Sequence, residues 1–149
     1  AQRGGSVVTH VKISEGTVSS PLIEEGDADV IIAFEELEAY RWLPYLKKGG
    51  TIYVNTQKIL PMPVIMGKAK YPEDIIMTLE KEAGQVKAID GLGIAEECGT
   101  VKAVNVVLLG AASKDLPFSE KEWLKVIENN VKPKFIDINK TAFEKGKKA

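Results

Sequence analysis

The pattern that decides the fold lies in residues 28–56, ADVIIAFEELEAYRWLPYLKKGGTIYVNT. Residues 28–34 are apolar after Asp29, which is typical of a strand covered on both faces in a parallel sheet. Residues 35–46 place apolar side chains at helical spacing, and residues 51–56 again have the β-branched character of a strand. A strand, a helix and a second strand in this order predict a parallel crossover unit. The predicted fold class is therefore α/β.

The helix of this unit has signals at both ends. Its first turn is acidic, and negative charge there complements the helix dipole. The string KKGG at residues 47–50 follows the last turn, so we expect basic charge and a glycine to cap the helix. Pro44 should fray or kink the last turn, because proline lacks the amide hydrogen that a helix needs.

Further elements are expected on either side. Residues 6–13, SVVTHVKI, are β-branched and partly alternating, which predicts a first strand, and residues 17–23 are compatible with a short returning edge strand. Residues 57–71 contain two prolines and predict a long loop. Beyond the loop we expect helices at 72–84, 104–112 and from 119 onwards, a strand at 86–90, a helical turn at 91–99 and a basic amphipathic segment at 134–149. Together these elements predict a Rossmann-like, mostly parallel open sheet with flanking helices.

The composition is that of an ordinary globular chain. Of the 149 residues, 44% are hydrophobic and 28% are charged, so a single domain is expected. The net charge of -1 at pH 7 gives no overall positive field, and we expect no nucleic-acid partner and no membrane partner. The apolar stretches are well short of the roughly 20 residues that a membrane-spanning helix needs, and no leader is visible. A cytoplasmic, reducing compartment is the expected location.

The chain contains one cysteine and one histidine. These two residues cannot furnish a zinc site, and an iron–sulfur cluster takes four cysteines, so any redox centre is expected on another chain. Cys98 follows two glutamates, whose charge disfavours a thiolate, and an inert thiol is the favoured interpretation. His10, on the predicted first strand, is more simply explained as a structural or partner-facing residue than as a general base. We therefore predict no metal ligand and no catalytic residue in this chain.

Two polar residues end the second strand of the crossover unit. Open α/β sheets bind ligands at the carboxyl ends of their strands, and Asn55 and Thr56 lie there, followed by the proline-containing loop. The glutamates of the first helical turn lie at the same edge, but their simpler role is to complement the helix dipole. Asn55 and Thr56 are therefore candidate cofactor-binding residues.

The string Gln2-Arg3-Gly4-Gly5-Ser6 is a second candidate. Two glycines let backbone amides approach an anion, and Arg3 offers a forked donor to a phosphate or carboxylate. By itself the string is explained equally well as a flexible terminus that leads into a strand. These residues are candidates for binding an anionic ligand, and their chemistry alone does not decide between the two explanations.

Three strings taken together resemble a known family. They are QRGGS at residues 2–6, the block from residue 20 to residue 56, and NVVLLG at residues 105–110, which FSEKEW follows at 118–123. In this order they resemble the gamma-type domain of 2-oxoacid:ferredoxin oxidoreductases, with the indolepyruvate-oxidising branch the most similar. The resemblance covers residues 1–149 as a single domain.

The resemblance implies a subunit of a complex that oxidatively decarboxylates a 2-oxoacid such as indolepyruvate or pyruvate. Such a complex passes electrons to ferredoxin and transfers the acyl group to coenzyme A. Thiamine diphosphate and the [4Fe-4S] clusters would lie on partner subunits, which agrees with the single cysteine. The gamma-type domain would assist coenzyme A handling and assembly, so residues 2–6, Asn55 and Thr56 are expected near coenzyme A or the thiamine site. The isolated chain is expected to be inactive.

The sequence departs from the family pattern at its start. Family members carry a strand, a Gly-rich turn and a helix ahead of the position of Gln2, and no such element precedes Gln2 here. We therefore expect an N-terminally incomplete domain that lacks this strand-turn-helix. An open sheet edge or apolar face would then favour association, including formation of a homodimer.

Two other functions are kept open. The chain could be a free-standing regulatory α/β module that binds a nucleotide or coenzyme A at the same strand edge. Tight binding of such a ligand by the isolated chain would favour that module. A hydrolase that depends on Cys98 is the least favoured alternative.

Overall fold

The computed structural model describes residues 6–149, and within them a three-stranded parallel sheet has the order β1-β2-β3. The strands are β1 (Ala28–Ala33), β2 (Leu46–Asn55) and β3 (Gln85–Ile89). Ile31 of β1 lies opposite Ile52 of β2, and Val54 of β2 lies opposite Ala88 of β3. The predicted α/β class and parallel open sheet are confirmed.

Helices cover both faces of the sheet. The α-helices of the described residues are α1 (Glu36–Trp42), α2 (Met62–Ile65), α3 (Ile75–Glu82), α4 (Gly91–Glu97), α5 (Val104–Ala112), α6 (Glu120–Asn130) and α7 (Ile136–Lys148), and α2 contributes no buried residue. α6 opens with a capping box, in which Ser119 and Glu122 satisfy each other's backbone amides. Across residues 6–149, no helix is both long enough and apolar enough to cross a membrane.

Alternation along β2 divides the core into two layers. Ile52 points to the face covered by α1 and α3, where Leu79 of α3 is fully buried. Tyr53 points to the opposite face and packs with α5 and α7, where Phe143 is fully buried. The two crossover helices therefore lie on one side of the sheet and the two later helices lie on the other.

The first helix ends earlier than predicted. α1 stops at Trp42, and Pro44 lies in a following 3-10 turn, Leu43–Tyr45. The turn accommodates the proline because its missing amide is not needed at the first positions of a helical turn. The helix does not fray or kink at Pro44; it changes from an α-helix to a 3-10 turn.

The string KKGG, predicted to cap that helix, instead forms a bulge in β2. The register between β1 and β2 shifts between Ala28 and Val30. Gly49 has a φ of +86°, and a Cβ on Gly50 would lie 2.8 Å from the carbonyl oxygen of Asp29. The two glycines are therefore needed by the strand and its close approach to β1, not by the helix.

The prediction of two strands ahead of β1 is wrong. Residues 6–13 and 17–23 form neither strand nor helix, and together with the turn between them they make an exposed arm, residues 6–23. β-branched residues favour an extended backbone, but a strand also needs a neighbouring edge for its amides and carbonyls. The arm pairs with no strand in the part of the chain that the structure describes.

His10 fastens the arm to the body of the protein. Its Nδ1 accepts a hydrogen bond from the amide of Ile23 at 2.9 Å. Its ring lies edge-on to the rings of Trp42 and Tyr45, with centroids 6.1 and 6.3 Å away. The structural role predicted for His10 is therefore the one the structure describes.

α5 and α7 cross with their backbones in contact. A Cβ on Gly110 of α5 would lie 2.2 Å from the carbonyl oxygen of Phe143 in α7, which is closer than real Cβ contacts come. The helix predicted at residues 104–112 is confirmed and is mostly buried, although Asn105 lies on its exposed side. This close crossing lets both helices reach the sheet face that carries Tyr53.

Candidate functional site

Asn55 forms hydrogen bonds to three segments at the carboxyl edge of the sheet. Its side chain is fully buried, and its Nδ2 donates to the carbonyl of Phe34 at 3.2 Å and to Oε1 of Gln57 at 3.3 Å. Its Oδ1 accepts from the amide of Gly91 at 3.0 Å. One side chain thus links the end of β1, the segment after β2 and the first residue of α4, and it positions this edge.

Thr56, the other residue predicted at this edge, is exposed. Its amide donates to the carbonyl of Ile89 at 3.0 Å, which continues the β2–β3 pairing by one residue. The sequence therefore placed two neighbouring residues correctly at the edge of the sheet. The two residues differ in accessibility: the side chain of Asn55 is enclosed by the protein, whereas that of Thr56 is accessible to a ligand.

Glu35 fastens the long loop that follows β2, residues 57–71, hereafter the proline loop. Its Oε2 accepts from the amide of Glu38 at 3.0 Å, which is the N-cap bond of α1. Its Oε1 accepts from the amide of Ile59 at 3.2 Å and from the hydroxyl of Tyr71. The carboxylate is 6% exposed and holds both ends of the loop.

Tyr71 is held as a hydrogen-bond donor by its surroundings. Burial raises the pKa of the Tyr71 hydroxyl, and the hydrogen bond to Glu35 raises this pKa further. Sequence reasoning predicted that the glutamates at the start of α1 complement the helix dipole, but it missed the hydrogen bonds that Glu35 accepts from the loop. Glu35 and Tyr71 are 36 residues apart, so no local pattern could have linked them.

A cation lies beside the buried acidic turn. The ammonium of Lys58 is 3.7 Å from a carboxylate oxygen of Glu36, which is 5% exposed, and 6.0 Å from the centroid of the Tyr71 ring. The Lys58 side chain is itself about half exposed. An exposed hydroxyl at Thr56 and an ammonium two residues later are groups that can bind a phosphate.

Ser6 is the one member of the QRGGS string that the structure describes. Its hydroxyl donates to the carboxylate of Glu38, which also accepts from Arg41 at 2.6 Å. This contact brings Ser6 to the first turn of α1, at the same end of the sheet as Asn55. Gln2, Arg3, Gly4 and Gly5 lie outside the described residues.

No group of three or more metal-ligating side chains is assembled anywhere in residues 6–149. Cys98 carries a free, half-buried thiol in the C-terminal cap of α4. One thiol cannot hold an iron–sulfur cluster, which takes four cysteines. The donor set of this chain therefore does not fit such a cluster.

A cleft of about 270 Å³ lies on the α5 side of the sheet, on the face that carries Tyr53. It is lined in part by Tyr53, Lys87, Lys114 and Asp115. The Tyr53 hydroxyl donates to the carboxylate of Asp115 at 3.0 Å, and burial followed by this hydrogen bond raises the pKa of Tyr53 to about 12. Sequence reasoning missed this pair, whose members are 62 residues apart.

The whole chain matches one family model and several curated relatives. Residues 1–149 match the model described as pyruvate ferredoxin/flavodoxin oxidoreductase. Indolepyruvate oxidoreductase subunit IorB of Thermococcus kodakarensis is 42% identical over 154 aligned positions, which cover 100% of this chain and 76% of the relative. The subunit of the same name from Archaeoglobus fulgidus is 43% identical, over 98% of this chain and 74% of the relative.

Solved structures share the fold. The gamma subunit of a keto/oxoacid ferredoxin oxidoreductase from Geobacter sulfurreducens has a TM-score of 0.58 at 21% identity, covering 84% of this chain and 65% of that chain. A 2-oxoglutarate:ferredoxin oxidoreductase from Magnetococcus marinus has a TM-score of 0.58 at 24% identity, covering 87% of this chain and 21% of that chain. At these identities the likeness shows the fold. The chain spans about three quarters of the curated relatives and about two thirds of the Geobacter subunit.

Proposed function

Since the chain belongs to the pyruvate ferredoxin/flavodoxin oxidoreductase family and is a subunit of such an enzyme, we propose that its complex oxidatively decarboxylates indolepyruvate. The relatives at 42% and 43% identity are both indolepyruvate oxidoreductase subunits. A subunit gamma common to pyruvate and ketoisovalerate oxidoreductases is 27% identical over 76% of the chain. The higher identity supports indolepyruvate as the substrate over pyruvate.

The redox chemistry belongs to partner subunits in this proposal. When bound there, thiamine diphosphate supplies the decarboxylation, the [4Fe-4S] clusters carry the electrons, and ferredoxin accepts them. The single, half-buried Cys98 supports this division of labour, because four thiolates are needed for one cluster. The isolated chain should therefore catalyse no oxidation by itself.

The role proposed for this chain is to help bind coenzyme A at the carboxyl edge of the sheet. The observation that carries the proposal is the contact between Ser6 and Glu38, which brings the end of the QRGGS string to the edge occupied by Asn55 and Thr56. Arg3 and the amides of Gly4 and Gly5 have the chemistry to bind an anionic diphosphate, and Thr56 is an exposed hydroxyl residue at the carboxyl edge of the sheet. Asn55 acts as a positioning residue.

Steady-state kinetics of the assembled complex test this role. Arg3→Ala and Thr56→Ala should each raise the KM for coenzyme A, on the order of tenfold for the arginine, while the KM for the 2-oxoacid stays unchanged. Lys125→Ala on the exposed face of α6 is a matched control and should change neither constant. An unchanged KM for coenzyme A in both site variants would reject the binding role.

Calorimetry on the isolated chain tests the alternative. Titration with coenzyme A and with adenine nucleotides should show weak binding, because partner subunits complete the site in this proposal. Tight binding by the isolated chain, together with failure to assemble, would instead favour a free-standing regulatory module.

The domain boundaries at residues 1–149 remain a prediction of the sequence.

A further inference from the structure

The tip of the proline loop, residues 59–66, concentrates exposed apolar side chains. Five large apolar side chains there are between 48% and 61% exposed: Ile59, Leu60, Met62, Ile65 and Met66. Single exposed apolar residues are ordinary on protein surfaces, whereas a contiguous group marks a binding surface. Two of the five are methionines, whose flexible thioethers adapt well to a partner surface.

The tip is ordered in spite of its exposure. α2 forms its centre, the amide of Met66 donates to the carbonyl of Met62 at 2.9 Å, and the amide of Lys68 donates to the carbonyl of Pro63 at 2.8 Å. Glu35 accepts hydrogen bonds from both ends of the loop, at Ile59 and Tyr71. An exposed apolar segment whose backbone is already hydrogen-bonded loses less conformational entropy on binding, so its burial is converted more efficiently into affinity.

The charged side chains within the proline loop itself are all lysines. The proline loop contains Lys58, Lys68 and Lys70 and neither aspartate nor glutamate between residues 57 and 71. Lys68 and Lys70 directly follow the tip, and both are exposed. Lys58 is paired with Glu36, so the acidic rim is inferred from Lys68 and Lys70: a partner surface that complements them and the apolar tip combines an apolar groove with acidic side chains.

From its exposure, order and charge we propose that the tip of the proline loop docks into an acidic-rimmed apolar groove of the partner subunit of the oxidoreductase complex. The inference rests on the proposed function, because it takes the partner to be another subunit of that complex. The loop begins directly after Asn55 and Thr56, so a partner seated on the tip lies beside the candidate coenzyme A edge. Docking would therefore also complete that edge.

Binding between this chain and the separately purified other subunit of its complex tests the inference, with biolayer interferometry as the measurement. The double variant Ile65→Asp/Met66→Asp should raise the Kd about tenfold or more, chiefly by faster dissociation. The double variant Lys68→Glu/Lys70→Glu should slow association and weaken its dependence on salt.

Met77→Asp is the matched control. Met77 is 51% exposed on α3, outside the loop, and this substitution should leave the Kd unchanged. Thermal unfolding of all variants should match that of the wild type, because every altered side chain is exposed. This readout separates lost docking from lost folding.

Three outcomes would overturn the inference, and they are distinguishable. Wild-type affinity in Ile65→Asp/Met66→Asp overturns docking through the tip and leaves the proposed function standing. Failure of the wild-type chain to bind the other subunit overturns the proposed function together with the inference. Self-association of the isolated chain that this double variant abolishes assigns the tip to a second copy and overturns the assignment to the partner.

Discussion

Gly146 of α7 lies against the backbone of Val107 in α5, so closely that a Cβ on Gly146 would come to 1.9 Å from the Val107 carbonyl oxygen. The contact between Gly110 and Phe143 repeats this arrangement one turn away along the crossing helices. Two glycines, one on each helix, thus permit the backbone contact that joins the two helices. The contact supports the layer that buries Tyr53 and Ile89.

Gly146→Ala should destabilise the protein by about 1 to 3 kcal/mol, because the added methyl group must push two helix backbones apart. Urea unfolding followed by circular dichroism measures this loss. Gly16→Ala in the exposed arm is the matched control, since the nearest atom to its added Cβ is Ser14 Oγ at 3.8 Å. Equal stability of the two variants would mean that α5 and α7 separate without cost.

Asn55→Ala should lower the free energy of unfolding by about 1 to 3 kcal/mol for each buried group that it leaves unpaired. The buried group is the amide of Gly91, whereas the carbonyl of Phe34 is only partly buried. Thr56→Ala, next to it but exposed, should change stability by less than about 0.5 kcal/mol. Chemical denaturation of the pair measures the difference, and a neutral Asn55→Ala would show that water replaces the amide.

Tyr53 should make stability depend on alkaline pH. Its pKa is raised from 10.0 to about 12 in the folded protein, so its contribution is fully present below pH 10 and is lost as the pH rises through about 12. Tyr53→Phe should therefore lose less stability than the wild type between pH 10 and 12. Urea unfolding at a series of pH values measures this, and parallel curves for both proteins would contradict the prediction.

Tyr71→Phe should loosen the proline loop without unfolding the sheet. The variant removes one of the donors to the buried carboxylate of Glu35, and a hydrogen bond to a charged group contributes about 1.5 to 3 kcal/mol. Hydrogen exchange should become faster at the Ile59 amide and in α2, and stay unchanged at Val54. Tyr40→Phe on α1 is an exposed control. Unchanged exchange at Ile59 would show that its bond to Glu35 holds the loop alone.

The central crossover unit was predictable because its signals are local. A continuous apolar run, an acidic helix start and a second β-branched run lie within residues 28–56, and each pattern has one simple structural solution. The capping box at Ser119 is equally local, because both of its hydrogen bonds join residues three apart. The family resemblance added the fold of the whole domain.

The errors come from features that local sequence does not encode. Residues 6–13 have the composition of a strand, but strand formation depends on a partner edge elsewhere in the fold. The glycines of KKGG fit a helix cap and a strand bulge equally well, and the approach of Asp29 decides between them. The partners of Asn55 and Glu35 at Gly91 and Tyr71 are each 36 residues away, so only the folded chain reveals them.

The sheet face that carries Tyr53 is covered by α5 and α7, both of which follow residue 103. During synthesis all three strands leave the ribosome before either of these helices is complete. The nascent chain can therefore bury Ile52 early, against α1 and α3, but it exposes Tyr53 until Phe143 has emerged. The half-covered sheet is the state in which a chaperone would protect this chain from aggregation.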